Sequence, residues 1–104
     1  MGENKIRKFL FENNIEFIEQ KKFPECKKKS YLPFDFYLTN LNICVEYDGI
    51  QHYEPIRGNK QFLETKENDK IKSNFCRKNN IKLKRISYKK FNQIEKIITK
   101  LIMT

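Results

Sequence analysis

Residues 31–38 (YLPFDFYL) and 43–47 (ICVEY) are two apolar, strand-forming runs joined only by Thr39-Asn40-Leu41-Asn42. Such a pair predicts an antiparallel hairpin. Pro33 puts the start of the first strand near itself or at a sheet edge, because proline cannot donate to a ladder. A lone hairpin is barely stable in water, so it must be extended and covered by its neighbours in the chain. The flanking sequence provides the material. Residues 15–23 (IEFIEQKKF) alternate in part and residues 81–87 (IKLKRIS) alternate strongly, which predicts two more strands.

Helical spacing predicts three helices. Residues 3–13 carry Ile6, Phe9, Leu10 and Asn13 at that period, and Asn13-Asn14 suits a stop. Residues 61–79 form a longer helix with Phe62, Ile71 and Phe75 as core candidates, ended by Asn79-Asn80. Residues 89–103 place Phe91, Ile94, Ile97, Ile98, Leu101 and Ile102 on one stripe. Pro24 and the lysines after it read as a loop, as does the stretch from Asp48-Gly49 to about Lys60. The order is αβββαβα: one α/β (α+β) domain over residues 1–104, with a four-stranded mixed sheet flanked by helices.

Charge narrows the partners. The 22 Lys+Arg against 13 Asp+Glu give a formal charge of +9, and 18 of the cations are Lys. Scattered Lys with interleaved Glu is often only a solvated surface, yet this excess on so short a chain attracts polyanions. Nucleic-acid backbone is the expected partner, with Lys27, Lys28 and Lys29 as its candidate contacts. No segment combines a wide apolar face with a uniformly basic one, so a membrane surface is not expected. No run of eighteen apolar residues and no signal-peptide pattern occurs, and a cytoplasmic, nucleoid-associated setting is expected. Cys26, Cys44 and Cys76 are odd in number and lack C-x-x-C spacing, which argues against a disulfide framework and a Cys-based zinc site.

The acids carry the chemistry. Asp35 sits between Phe34 and Phe36, where a carboxylate is costly without a partner. Alternation puts Cys44, Glu46 and Asp48 on one face of their strand and Ile43, Val45 and Tyr47 on the other. A hairpin closed at 39–42 sets Asp35 opposite Glu46. Two adjacent carboxylates repel, and a hard divalent cation such as Mg²⁺ would relieve them. Gly49 allows a tight turn or a close phosphate approach, and Gln51 and His52, the only histidine, follow it. Neutral imidazole near pH 7 can take a proton from water. Asp69, mid-helix, is explained cheaply by an i,i+3 ion pair with Lys72; the functional alternative has it orienting the His52 ring. Glu3 in the first helix suits the helix dipole, and it also shares a side with Arg7 and Leu10 that would face the sheet.

Five stretches, Gly2-Glu3-Asn4-Lys5-Ile6-Arg7, Pro33-Phe34-Asp35-Phe36-Tyr37-Leu38, Val45-Glu46-Tyr47-Asp48-Gly49-Ile50-Gln51-His52, Asn68-Asp69-Lys70-Ile71-Lys72 and Leu83-Lys84-Arg85-Ile86, occur in this order. Together they resemble the PD-(D/E)xK nuclease superfamily, closest to its very-short-patch-repair-like branch, which includes phage homing endonucleases with an E-D-x-H-D constellation. The resemblance implies a restriction-endonuclease-like core and Mg²⁺- (or Mn²⁺-) dependent hydrolysis of double-stranded DNA. It makes Glu3 the first-helix acid, Asp35 the central metal ligand, His52 the general base and Asp69 its orienting partner. Glu46 or Tyr47 falls at the variable position, where a strand carbonyl can help hold the metal. Gln51 and Lys72 become candidates for phosphate or water contacts. Asp48 stands where the superfamily has lysine, and His52 is the natural substitute. The extra His and Cys of a mismatch-repair zinc site are missing, so a homing-type or other phage or mobile-element nuclease is preferred. A further DNA-binding domain or a second copy would complete so short an enzyme. The rival expectations are a non-catalytic basic nucleic-acid-binding module on the same fold and a small RNA-associated protein.

Overall fold

The computed structural model describes residues 1–103. Its elements are α1 (Gly2–Glu12), β1 (Phe17–Lys21), β2 (Phe34–Leu38), β3 (Ile43–Asp48), α2 (Asn59–Lys78), β4 (Lys82–Ser87) and α3 (Ile94–Ile102), in the αβββαβα order expected. Short 3₁₀ turns at Ile50–His52 and Tyr88–Gln93 precede α2 and α3. The second replaces the first turns of the helix expected over 89–103; Lys90 breaks helical geometry there, with φ −104° and ψ 20°.

The strands form one sheet in the order β1-β2-β3-β4. The first two pairings are antiparallel, and β3 runs parallel to β4. A parallel neighbour cannot follow through a tight turn, so α2 makes the crossover. Leu38 pairs with Ile43 and Phe36 with Val45 across the hairpin. That register sets Asp35 opposite Glu46, as the position of the turn predicts.

Asparagine ends both longer helices, α1 and α2. Asn14 and Asn80 adopt left-handed φ values of 56° and 59°, which asparagine tolerates better than most residues. The Ile15 and Ile81 N–H groups then donate back to Leu10 and Cys76 carbonyls, each at 2.9 Å. This is the Schellman closure, which satisfies carbonyls that the helix end would otherwise leave bare.

The core has two parts, one on each face of the sheet. On one face Ile6 and Leu10 of α1 and Ile94, Ile98 and Leu101 of α3 cover Phe36, Leu38, Ile43, Val45 and Ile86. On the other, Cys76 of α2 meets Cys26, Phe34 and Cys44, with Ile71 and Phe75 packed alongside. All three cysteines are free and buried. Phe62, expected in the core, belongs to neither cluster: it lines a cleft with the 51–58 segment instead. Among the described residues no helix is long and apolar enough to cross a membrane.

Candidate functional site

Strand β3 delivers the acids. Its alternation turns Val45 and Tyr47 toward α1 and α3 and leaves Glu46 and Asp48 on the α2 face, where they are the two buried charged residues among those described. Buried carboxylates require partners. The Asp35 N–H donates to Glu46 Oε2 at 2.6 Å, and the Tyr47 N–H donates to Asp35 Oδ2 at 2.8 Å. The hairpin thus ties the Glu46 carboxylate to the Asp35 backbone and the Asp35 carboxylate to the Tyr47 backbone. Lys72, reaching from α2, places Nζ 2.5 Å from Glu46 Oε1. Lys72 therefore pairs with Glu46 and not with Asp69 in the i,i+3 pair considered above.

Asp69 is held by longer-range partners. Its Oδ2 lies 2.9 Å from His52 Nδ1, and its Oδ1 lies 3.3 Å from Arg85 Nη1. Arg85 also binds Asp48 at 3.2 Å and donates to the Asp69 backbone carbonyl at 3.2 Å. Sequence reading missed Arg85. It is the register partner of Glu46 across the parallel pair, so its side chain rises on the same face. A strongly alternating strand with a guanidinium opposite a buried acid was the available signal. His52 is positioned by the 3₁₀ turn, which its own N–H closes onto the Gly49 carbonyl at 3.1 Å. Asp48 lies 3.7 Å from its Nδ1.

These contacts set the charges. Burial first, then the neighbouring Glu46 and Glu3 charges, push the Asp35 carboxyl up to about 7, against the pull of the Tyr47 N–H and Lys72. Asp48 is raised by burial, with Arg85 and His52 opposing. The hydrogen bond to Asp69 raises His52, outweighing burial. Burial pushes Asp69 upward, but the His52 bond and the Arg85 charge together hold it below the ordinary carboxylate range. His52 and Asp69 thus behave as an ion pair, and less neutral imidazole is present near pH 7 than an isolated histidine would offer.

Glu3 is half-buried in the first turn of α1, and its charge is felt at Asp35. The turn lies close because Gly2 rests against the Tyr47 ring; a Cβ on Gly2 would fall 2.2 Å from ring carbons. Arg7, expected beside Glu3, instead binds Glu19 of β1 and Asn4.

His52 and Asp69 also line a cleft between the 51–58 segment and α2, with Gln51 and Lys72 beside them. A neighbouring depression shares Asn68 with it and reaches Lys28 and Lys29. Of the three loop lysines, Lys27 lies over the Tyr31 ring and Lys28 binds Glu67 at 2.9 Å, while Lys29 makes no ion pair or ring contact among the described residues. Glu3, Asp35, Glu46, Asp48, His52, Asp69 and Lys72 therefore gather at one end of the sheet, and the lysine loop lies along the same side of α2.

A divalent cation fits part of this set. Asp35 Oδ1 accepts no hydrogen bond from the described residues and is not sealed from solvent. The donors are hard oxygens, and Mg²⁺ is commonly held by one or two carboxylates with several waters retained. Both Glu46 oxygens are already engaged, so Glu46 would coordinate directly only with Lys72 displaced. Among the described residues no three His, Cys, Asp or Glu side chains form a ready metal cluster. No known protein family, curated protein or solved structure compared with this chain matches it.

Proposed function

We propose that this chain is a metal-dependent endodeoxyribonuclease domain of the PD-(D/E)xK type, in its very-short-patch-repair-like, homing-endonuclease branch. The observation that carries the reading is a raised carboxyl, Asp35, against a second acid, Glu46, which shares the Arg85 guanidinium with the His52–Asp69 pair. Those four residues lie 6 to 34 positions apart in the chain, and the resemblance assigns each a role.

Asp35, with Glu46 and Glu3 adding negative charge, would hold Mg²⁺ or Mn²⁺. Bound there, the ion would offset charge developing on a phosphodiester in the transition state. Because Nδ1 of His52 faces Asp69, Nε2 is the nitrogen left to accept a proton from water. Asp69 holds the ring in that tautomer, and Arg85 holds Asp69. Lys72 supplies an ammonium beside Glu46 where Asp48 replaces the superfamily lysine. Lys29 and its neighbours would meet the backbone of double-stranded DNA and fix position without reading sequence.

The test is nicking of plasmid DNA by the purified chain. Cleavage is expected with Mg²⁺ and none with EDTA. Asp35→Asn and His52→Ala should each lower the rate by about 10²–10⁴-fold. Equal cleavage by both variants, with contaminating nuclease excluded, would remove the assignment. One observation favours a non-catalytic DNA-binding module instead: the Lys72–Glu46 pair neutralises a buried acid without any ion. That reading forbids Mg²⁺-dependent nicking while retaining DNA binding.

A further inference from the structure

The cleft beside His52 offers more than proton transfer requires. It encloses about 270 Å³ between the 51–58 segment and α2. Pockets for drug-sized ligands begin near about 300 Å³, so this space suits a single heterocycle. Phe62 lines it, half-buried, with Lys66 Nζ 5.4 Å from the ring centroid. Gln61, Thr65 and Asn68 also line it, each offering donor and acceptor, and none makes a side-chain hydrogen bond with the described residues. The lining carries both signs, Glu54 and Asp69 against Arg57 and Lys72. Such a balance suits a neutral ring better than a bare phosphate. Proteins hold extruded or single-stranded bases with this combination: an aromatic face to stack on and amides to bond the exposed edge.

We infer that the cleft binds one unpaired nucleobase, so that a nucleotide beside the phosphate at His52 leaves its stack. The location of that phosphate rests on the nuclease reading; the binding of the base does not. A paired base inside a duplex is closed off by its partner and its stacking neighbours, and cannot enter between the segment and the helix. The preferred substrate class is therefore DNA with a bulged or single-stranded nucleotide at the cutting position.

The test uses two DNA duplexes that differ at one site. Each carries a single 2-aminopurine, whose emission reports stacking, paired with thymine in one duplex and in a one-nucleotide bulge in the other. Titration with the intact chain in EDTA separates binding from cleavage. The bulged duplex should bind roughly tenfold tighter, the order expected for one base on an aromatic platform, and its emission should change at saturation. Phe62 lies outside both cores and Gln61 is exposed, so Phe62→Leu and Gln61→Ala should fold, and each should reduce the preference. Equal affinity for the two duplexes, or a preference intact in both variants, overturns the inference and leaves the nuclease proposal standing. Failure to bind either duplex overturns both.

Discussion

On the α1–α3 side of the sheet all ten buried core residues are apolar. On the α2 side only Cys26, Phe34, Cys44 and Cys76 form a buried cluster, and the same face carries the buried acids Glu46 and Asp48. One strand serves both. Ile43, Val45 and Tyr47 of β3 belong to the first face, while Cys44, Glu46 and Asp48 belong to the second. The contrast teaches that apolar packing and buried charge are divided here by the thickness of one pleated layer. The apolar face can hold the sheet, so the other face can tolerate carboxylates that repel each other.

The comparison can be broken most forcefully from the apolar side. Ile98 is fully buried under α3, and Ile98→Ala should cost about 2–5 kcal/mol by urea unfolding. It should leave the pH profile of any surviving cleavage unchanged. A cost below about 1 kcal/mol would show that this face does not carry the fold, since Ile or Leu truncations in a packed core cost more.

A smaller effect is expected at the ion pair. Asp69 raises His52, so cleavage by the unaltered chain should climb with pH until the imidazole loses its proton, above the ordinary histidine value of 6.5. Asp69→Asn removes that support. The limb of the profile should move to lower pH, while the plateau drops about tenfold or more because the ring loses its orientation. An unmoved limb would mean that His52 does not titrate in the reaction.

The smallest effect tests the charged side directly. With its folded value near 7 against an ordinary 3.8, Asp35 keeps a proton that the unfolded chain releases. Native stability should therefore fall as pH rises from about 4 through about 7. Asparagine cannot ionise, yet its carbonyl still accepts the Tyr47 N–H. Without divalent cation at pH 8, Asp35→Asn should be more stable than the unaltered chain by about 1–2 kcal/mol, and the difference should vanish near pH 4. Matching urea curves at both pH values would contradict the raised carboxyl. The same substitution would then be stabilising and inactivating at once, as expected where an active site stores unfavourable charge.

What could be read in the sequence was local or periodic. The hairpin, its register and the opposition of Asp35 and Glu46 all follow from the position of 39–42 and the two-residue repeat. Asn13-Asn14 and Asn79-Asn80 announced two helix ends because asparagine suits the left-handed closure. Of the partners far apart in the chain, Asp69 and His52, 17 residues from each other, were anticipated, whereas those of Lys72 and Arg85 were not. Lys72 lies 26 residues from Glu46, and Arg85 lies 37 from Asp48. Nothing in the period of α2 tells which of its turns pack into a core, so Phe62 looks like Phe75 in the sequence. The 3₁₀ segment at Tyr88–Gln93 also escaped, because its apolar spacing matches the helix that follows.

Gly2 gives the first turn of α1 its seat on the Tyr47 ring. Any larger residue there would force the Tyr47 ring or the helix to give way, and where the helix yields, Glu3, next in line, swings with it. The number of negative groups crowded around Asp35 is thus governed by a hydrogen atom standing where every other amino acid carries carbon.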